Sequence, residues 1–318
     1  MKTSPAQPHS PEDLKEKPLV EEAGYQKIIQ FKAPEKGSLQ KLAQDYLDKN
    51  YSCYTVFAKE ALQSPAVVAY VSEKKVPLSY IVKAKAPIVL LVQPKSHNLA
   101  TKTLAEESIQ FREKGLIIVS KPPGLPTQST FKAWEDNLFQ QILLRKIMEK
   151  NFPQKLPYLG LHHRLDRDTS GLVLMTEKPS CNKEVADLFR LRKIKKRYEA
   201  LVQGIPKGDS WKNTSEIAKV KHPRYKFFFK AVPSGGEAAE THFKVLEKID
   251  GDHYLLQCSP KTGRTHQIRV HLLDNGLRLL GDHVYGVLGK EKPMKLHAAQ
   301  LDFVFQDQKI SVHAPKPW

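Results

Sequence analysis

"HHRLDRDTSGLVLMT", residues 162–176, sets two histidines, two arginines and two aspartates within seven positions and runs straight into an apolar stretch. Crowded charges cost folding free energy unless they are paired, and Leu172–Met175 reads as a strand buried on both faces. The cluster therefore sits at the rim of a core. Two readings are open: a strand-entry loop with a solvated ion-pair network, or a site. A carboxylate that acts as a nucleophile must be ionised, rigid and partly desolvated, with a cation nearby. Asp166, flanked by Leu165, fits those demands better than Asp168. Asp168 precedes Thr169-Ser170-Gly171 and reads as a turn-forming side chain that bonds backbone N–H groups.

Downstream, "RLRKIKKRYEALVQG" (190–204) carries six basic residues, Arg190, Arg192, Lys193, Lys195, Lys196 and Arg197, followed by Tyr198 at the start of an alternating strand. A basic run that ends on an aromatic suits a phosphate track leading to a base-stacking platform; a solvated helix end is the plainer reading. "KTGRTHQIRVHLLDNG" (261–276) reads as a helix ending near Asn275 with Gly276 as its left-handed stop, placing Arg264 and Ile268 on one face. A helix from about Cys181 to Leu191, capped by Ser180, and another within 136–150 complete the helical pattern. "GLIIVSKPPGLPTQ" (115–128) is a buried strand running into a turn fixed by proline and glycine. Thr241, Phe243 and Val245 alternate as a strand. Strands outnumber helices and are joined by short turns, which predicts an α+β domain with a mixed, mainly antiparallel sheet.

The 318 residues carry 51 Lys+Arg against 34 Asp+Glu, a formal charge of +17, so a polyanion and above all nucleic acid is the expected partner. All eleven arginines lie at or beyond Arg112, and the guanidinium fork suits phosphate and base contacts. No phosphate-cradling glycine motif is present, which excludes the common nucleotide and dinucleotide cofactors. Three scattered cysteines and the histidine spacings match no metal motif, so neither a metal nor another cofactor is expected. No stretch reaches membrane-span length and no signal-peptide core is present; a cytoplasmic protein, monomeric and without membrane contact, is expected.

Residues 1–24, rich in proline and charge, read as a mobile tail. Residues 25–95 hold a helix opened by Ser38, a second from Ser52 to about Gln63, and the β-rich runs "AVVAYV" and "IVLLV". Residues 96–112 read as a linker, and 113–318 as the larger domain.

Taken in order, "HRLDRDTSGLVLMT", "KRYEALVQG", "GGEAAETHF", "KTGRTHQIRVHL", "GDHVYG" and "KLHAAQLDF" resemble the RluA family of RNA pseudouridine synthases, with "VSKPPGLPTQ" similar to its opening K-P-x-G-L element. The resemblance spans about residues 115–305. It implies the pseudouridine synthase fold, with a central cleft, and isomerisation of uridine in ribosomal or transfer RNA. The N1–C1′ bond breaks, the base turns and C5 joins C1′, a reaction that needs no cofactor. By motif, Asp166 would be the catalytic aspartate, through attack on sugar or base or through glycal formation. Tyr198 would stack on the uracil and help remove the C5 proton. Arg264 would pair with Asp166, and Leu296 would wall the base. Arg164 would enter the RNA as the nucleotide flips out. Lys121 to Gly124 would shape the cleft edge, and Arg190–Arg197 would hold phosphates. Residues 25–95 resemble a divergent S4-like module without its usual glycine-marked turn and arginines; a structural or protein-contact module is the other reading. An RNA-binding or assembly protein that keeps the fold without catalysis is the alternative for the whole chain. Retention of the aspartate, tyrosine and arginine favours the enzyme.

Overall fold

The computed structural model describes residues 27–50, 67–92, 104–128, 137–150, 154–223, 228–286 and 293–318. The chain divides into two compact units, Met1–Thr101 with Lys146–Leu156, and Lys102–Arg145 with Pro157–Trp318. Residues 1–24, expected to form a tail, and the helix expected over 52–63 lie outside the described residues.

In the first unit, strands β1 (Lys27–Lys32), β2 (Gly37–Ser38), β3 (Val68–Val71), β4 (Lys74–Val76), β5 (Ile81–Val82) and β6 (Pro87–Val92) accompany helix α1 (Leu39–Asn50). Ser38 Oγ accepts the Lys41 N–H at 3.3 Å, so the expected cap forms. Four strands build an antiparallel sheet in the order β1-β6-β3-β4, while β2 pairs with β5. The "KIIQFK" strand β1 was not expected; its partner β6 lies about sixty residues away, beyond the reach of local pattern.

The second unit carries strands β7 (Ile109–Glu113), β8 (Leu116–Lys121), β9 (Gly160–Leu161), β10 (Ser170–Thr176), β11 (Lys195–Gln203), β12 (Ser210–Asn213), β13 (Glu216–Val220), β14 (Phe228–Val232), β15 (Thr241–Asp250), β16 (His253–Pro260), β17 (Arg278–Leu279), β18 (Leu296–Phe305) and β19 (Gln308–His313). Helix α2 (Leu138–Glu149) precedes β9, α3 (Asn182–Arg190) follows β10, and α4 (Gln267–Asp274) follows β16. The large sheet runs β12-β15-β16-β11-β18-β10-β8-β7, with β9, β17 and β19 added to its strands. It is antiparallel except where β10 meets β18, so the mixed, mainly antiparallel α+β expectation describes it. Part of the expected linker is strand: Ile109–Glu113 pairs with β8. Ser180 does not cap α3. A single 3-10 turn, Pro179–Cys181, leads into the helix, whose N-cap position is Cys181 without a side-chain cap bond. No described helix is long and apolar enough to cross a membrane.

All seven residues of β10 are buried, as the unbroken apolar run requires of a strand covered on both faces. Leu172 and Leu174 pack with Leu116, Ile118, Val185, Phe303 and Phe305. Each such side chain contributes roughly 1.5–3 kcal/mol by leaving water. At its entry, Ser170 and Gly171 lie beside His297 and Ala298 in the short parallel pairing. His297 Nε2–H donates to the Ala314 carbonyl at 3.0 Å, which leaves Nδ1 to accept the Ser170 hydroxyl at 2.9 Å. The backbones come so close that a Cβ on Gly171 would lie 2.3 Å from the Ala298 carbonyl oxygen, and φ there is +108°. Only glycine satisfies both conditions.

Gly171→Ala is therefore expected to cost about 2–4 kcal/mol. Urea unfolding checks this; a midpoint equal to wild type would show that the parallel pairing can relax.

Candidate active site

The segment between β9 and β10 holds Asp166 by its neighbours on both sides. Thr127 Oγ1 accepts the Leu165 N–H at 3.1 Å and donates to the Leu165 carbonyl at 2.9 Å. The Arg167 carbonyl accepts from Gly124 N–H at 2.9 Å and from Lys121 Nζ at 2.8 Å. Lys121 also donates to the carbonyls of Pro122 and Leu125. It is buried and absent from the cleft lining, so the expected part in shaping the cleft edge becomes an internal one: it ties the 122–125 turn to the Asp166 segment. Burial pulls its pKa down to about 7, against the charges of Asp168 and Asp166. Three carbonyl acceptors nevertheless use three protons, so the turn is built around the ammonium form. His163 Nε2 accepts the Leu174 N–H at 2.9 Å, and burial lowers its pKa to about 3, so this ring is a neutral brace. Asp168 grips Arg167 through two bonds at 3.0 and 3.1 Å; a guanidinium occupies the carboxylate that sequence had assigned to turn N–H groups.

Asp166, with its side chain 21% exposed, pairs with Arg269 Nη1 at 3.0 Å. The expected partner, Arg264, points elsewhere. Its Nη1 meets Glu237 at 3.0 Å and its Nε donates to the Ala238 carbonyl at 3.1 Å. The cause lies in the helix start. Arg264 N–H donates to Gln267 Oε1, His266 takes a left-handed conformation (φ 56°, ψ 18°), and α4 begins at Gln267. Arg264 thus precedes the helix, does not share a helical face with Ile268, and Arg269 lies on the helix instead.

Arg269 is 5% exposed and is held from behind. Its Nε and Nη2 donate to Asp282 Oδ2 and Oδ1 at 2.7 and 2.8 Å, and Asp282 has no exposure. Asp282 Oδ1 also accepts the N–H groups of Val284 and Tyr285 at 2.9 and 3.1 Å. Burial alone would lower the Arg269 pKa, but the bonds to Asp282 and the charge of Asp166 outweigh it and raise it. Burial pushes Asp282 up, yet Arg269 and the two backbone donors bring it below the ordinary carboxylate value. The guanidinium carbon lies 4.9 Å from the Tyr285 ring centre, a cation–π contact. Sequence reasoning missed Arg269, Asp282 and Tyr285. The available signal was an arginine between Ile268 and Val270 on an apolar helix, which requires a buried carboxylate, and the quoted "GDHVYG" supplies one.

A cavity of about 950 Å³ opens over Asp166. Tyr198, Ile268 and Leu296 line it, with Arg164, Arg190, Arg192, Lys195, Lys196 and Arg197 among its basic residues. Tyr198 sits at a register shift where β11 pairs with β18. Its burial, reinforced by the Asp166 charge, raises the phenol pKa, so the hydroxyl stays protonated. Lys193 lines a neighbouring cavity, together with Arg192 and Lys195, and alone of its run does not line this one. Lys196 Nζ donates to the Thr262 carbonyl at 3.4 Å, and Arg197 is occupied by Gln300 and Asp302. Among the described residues, no three His, Cys, Asp or Glu side chains assemble as metal ligands.

Residues 115–274 match the family described as RNA pseudouridylate synthase. Ribosomal large subunit pseudouridine synthase D of Nitrosomonas europaea is 38% identical over 180 residues, covering 56% of this chain and 49% of that protein. Ribosomal large subunit pseudouridine synthase C of Vibrio cholerae is 34% identical over 240 residues, 70% of each chain. The chain thus spans about half the length of the first relative. Human RNA pseudouridylate synthase domain containing 1 shares the fold, with a TM-score of 0.54 and 24% identity over 66% of this chain and 83% of that one.

Removing the carboxylate behind Arg269 strands a buried charge, so Asp282→Ala is expected to cost about 3–5 kcal/mol. Because Asp282 titrates lower in the folded state, its contribution is complete above about pH 4 and is lost as pH falls through its folded value. Urea unfolding at pH 7 and pH 3 checks both points; the gap between wild type and variant should narrow at the lower pH, and a constant gap would contradict the assignment.

Proposed function

We propose that this chain, which belongs to the RNA pseudouridylate synthase family, isomerises uridine in structured RNA to pseudouridine with Asp166 as its catalytic carboxylate. The observation that carries this reading is the Asp166–Arg269 pair at 3.0 Å at the base of a cleft lined by Tyr198, Ile268 and Leu296. One carboxylate is fixed rigidly beside an aromatic and an aliphatic surface, which suits a flat base and the sugar attached to it. The basic residues around the same cavity suit the phosphates on either side. Ribosomal RNA is the favoured substrate, since the two relatives are named for the large ribosomal subunit; transfer RNA is the other candidate.

C1′ and C5 of a stacked uridine are out of reach, so the target nucleotide must flip into the cleft. Arg164, exposed beside Leu165 and Asp166, is placed to fill the vacated stack. Asp166 then acts at the sugar, either by taking C1′ as the C1′–N1 bond breaks or by removing the 2′ proton to give a glycal. The freed uracil turns between Tyr198 and Leu296 and rejoins through C5. Bonding of C5 to C1′ displaces the Asp166 carboxylate, or in the glycal route is accompanied by return of the proton to the 2′ carbon. The C5 proton then leaves and N1 gains one, so atoms and electrons balance without water or cofactor. Tyr198 acts chiefly as a surface, because its phenol stays protonated. Unit 1, with its Ser38-capped helix and lysine-bearing strands, is read as a divergent S4-like accessory to RNA binding.

Mapping pseudouridine by chemical adduct sequencing, in cells with and without this protein, tests the reading. At least one uridine should lose its modification and regain it with wild type but not with Asp166→Ala, whose RNA affinity should stay within about threefold. If no site in any RNA changes, the isomerase reading is wrong. In equilibrium RNA-binding titrations at several salt concentrations, Arg192→Ala should weaken binding and lower the salt slope by about one ion.

A further inference from the structure

His266 is the one imidazole close to Asp166 among the described residues: its Nε2 lies 3.8 Å from Asp166 Oδ2. That is too far for a hydrogen bond, and the ring also lines the cleft. The left-handed backbone at His266 (φ 56°) is a conformation seldom adopted by non-glycine residues, and it orients the ring at the mouth of α4. The ring is held from its other nitrogen, since His266 Nδ1 and the Tyr285 hydroxyl are 2.8 Å apart.

The tautomer follows from counting protons. Tyr285 Oη accepts the Phe229 N–H at 3.0 Å, and its only other partner among the described residues is His266 Nδ1. Its single proton therefore goes to Nδ1, which must be the unprotonated nitrogen. The proton of the neutral ring then lies on Nε2, the atom that faces the cleft and Asp166. Burial lowers the His266 pKa and keeps the ring neutral. Among the described residues Nε2 has no hydrogen-bond acceptor, and this donor faces the cleft.

Resting on the isomerase reading, we propose that His266 is a further catalytic residue whose Nε2–H donates to a carbonyl oxygen of the departing uracil. Any group that Asp166 engages at C1′ or at the 2′ carbon lies within reach of Nε2. As C1′–N1 breaks, the bonding pair moves to N1 and spreads onto O2, the carbonyl nearest the sugar. The imidazole keeps its proton and stabilises that charge by a hydrogen bond that strengthens as the bond breaks. A neutral donor suits the position, because a cation there would compete with Arg269 for Asp166.

The experiment uses the full-length protein and the RNA fragment that wild type converts, with uridine or 5-fluorouridine at the target. His266→Asn tolerates the left-handed backbone and offers an oxygen to the Tyr285 hydroxyl, but it lacks the reach of Nε2. With uridine, its single-turnover rate should fall about 100-fold, while the RNA Kd stays within about threefold. Fluorine stabilises the uracil anion by itself, so with 5-fluorouridine the loss of substrate should slow only about tenfold. His266→Gln, which restores an N–H at longer reach, should recover part of the rate. An undiminished rate in His266→Asn, an equal loss on both bases, or a loss confined to Kd would each overturn the role. A wild type inactive on every RNA would end the isomerase reading itself, and the two failures are therefore distinct.

Discussion

The buried guanidinium of Arg269 is the interaction on which the rest of the site depends. It touches Asp166 with one nitrogen and commits the other two to Asp282. A charge 5% exposed is tolerated only where its partners are fixed, and Asp282 is fixed by two backbone N–H groups from its own turn. The turn at 282–285 thus sets the position of a carboxylate more than a hundred residues earlier in the chain. Tyr285 serves the same turn twice, as the aromatic face beside Arg269 and as the hydroxyl that orients His266.

The sheet supplies the rigidity that this arrangement requires. Asp166 lies four residues before β10, a strand buried throughout and locked to β18 by the close approach at Gly171. β18 begins with Leu296 in the cleft wall, so the wall of the cleft and the carboxylate are anchored at one crossing point. Lys121 and Thr127 complete the frame by holding the carbonyls of Arg167 and Leu165 on either side of Asp166. Charged and polar side chains in this region therefore act mostly as internal fasteners, while the cleft is lined by Arg164 and by the cations of the segment leading to Tyr198, among others.

Local pattern was enough to read much of this. The unbroken apolar run Leu172–Met175 identified β10, and Gly276 with φ +75° ends α4 as its position implied; Tyr198 and Leu296, expected beside Asp166 from the family resemblance, line the same cavity. What escaped depends on contacts distant in sequence. Arg264 and Arg269 stand five apart in one motif, and only the left-handed turn at His266 decides which of them lies on the helix. Nothing near Lys121 announces that three carbonyls will surround its ammonium. Lys193 leaves the cleft that its neighbours line, next to a left-handed residue at Arg192 that redirects the chain. Strand β1 exists because β6 pairs with it, and six residues of weak alternation do not reveal that partner.

In the proposed reaction Asp166 depends on Arg269, which Asp282 holds in place. Single-turnover conversion of the target RNA by Asp282→Asn tests it most directly, since the shape is kept and Asp166 is untouched. The rate should fall about 100-fold or more at saturating RNA, with RNA affinity retained within about threefold. A wild-type rate in that variant would contradict it.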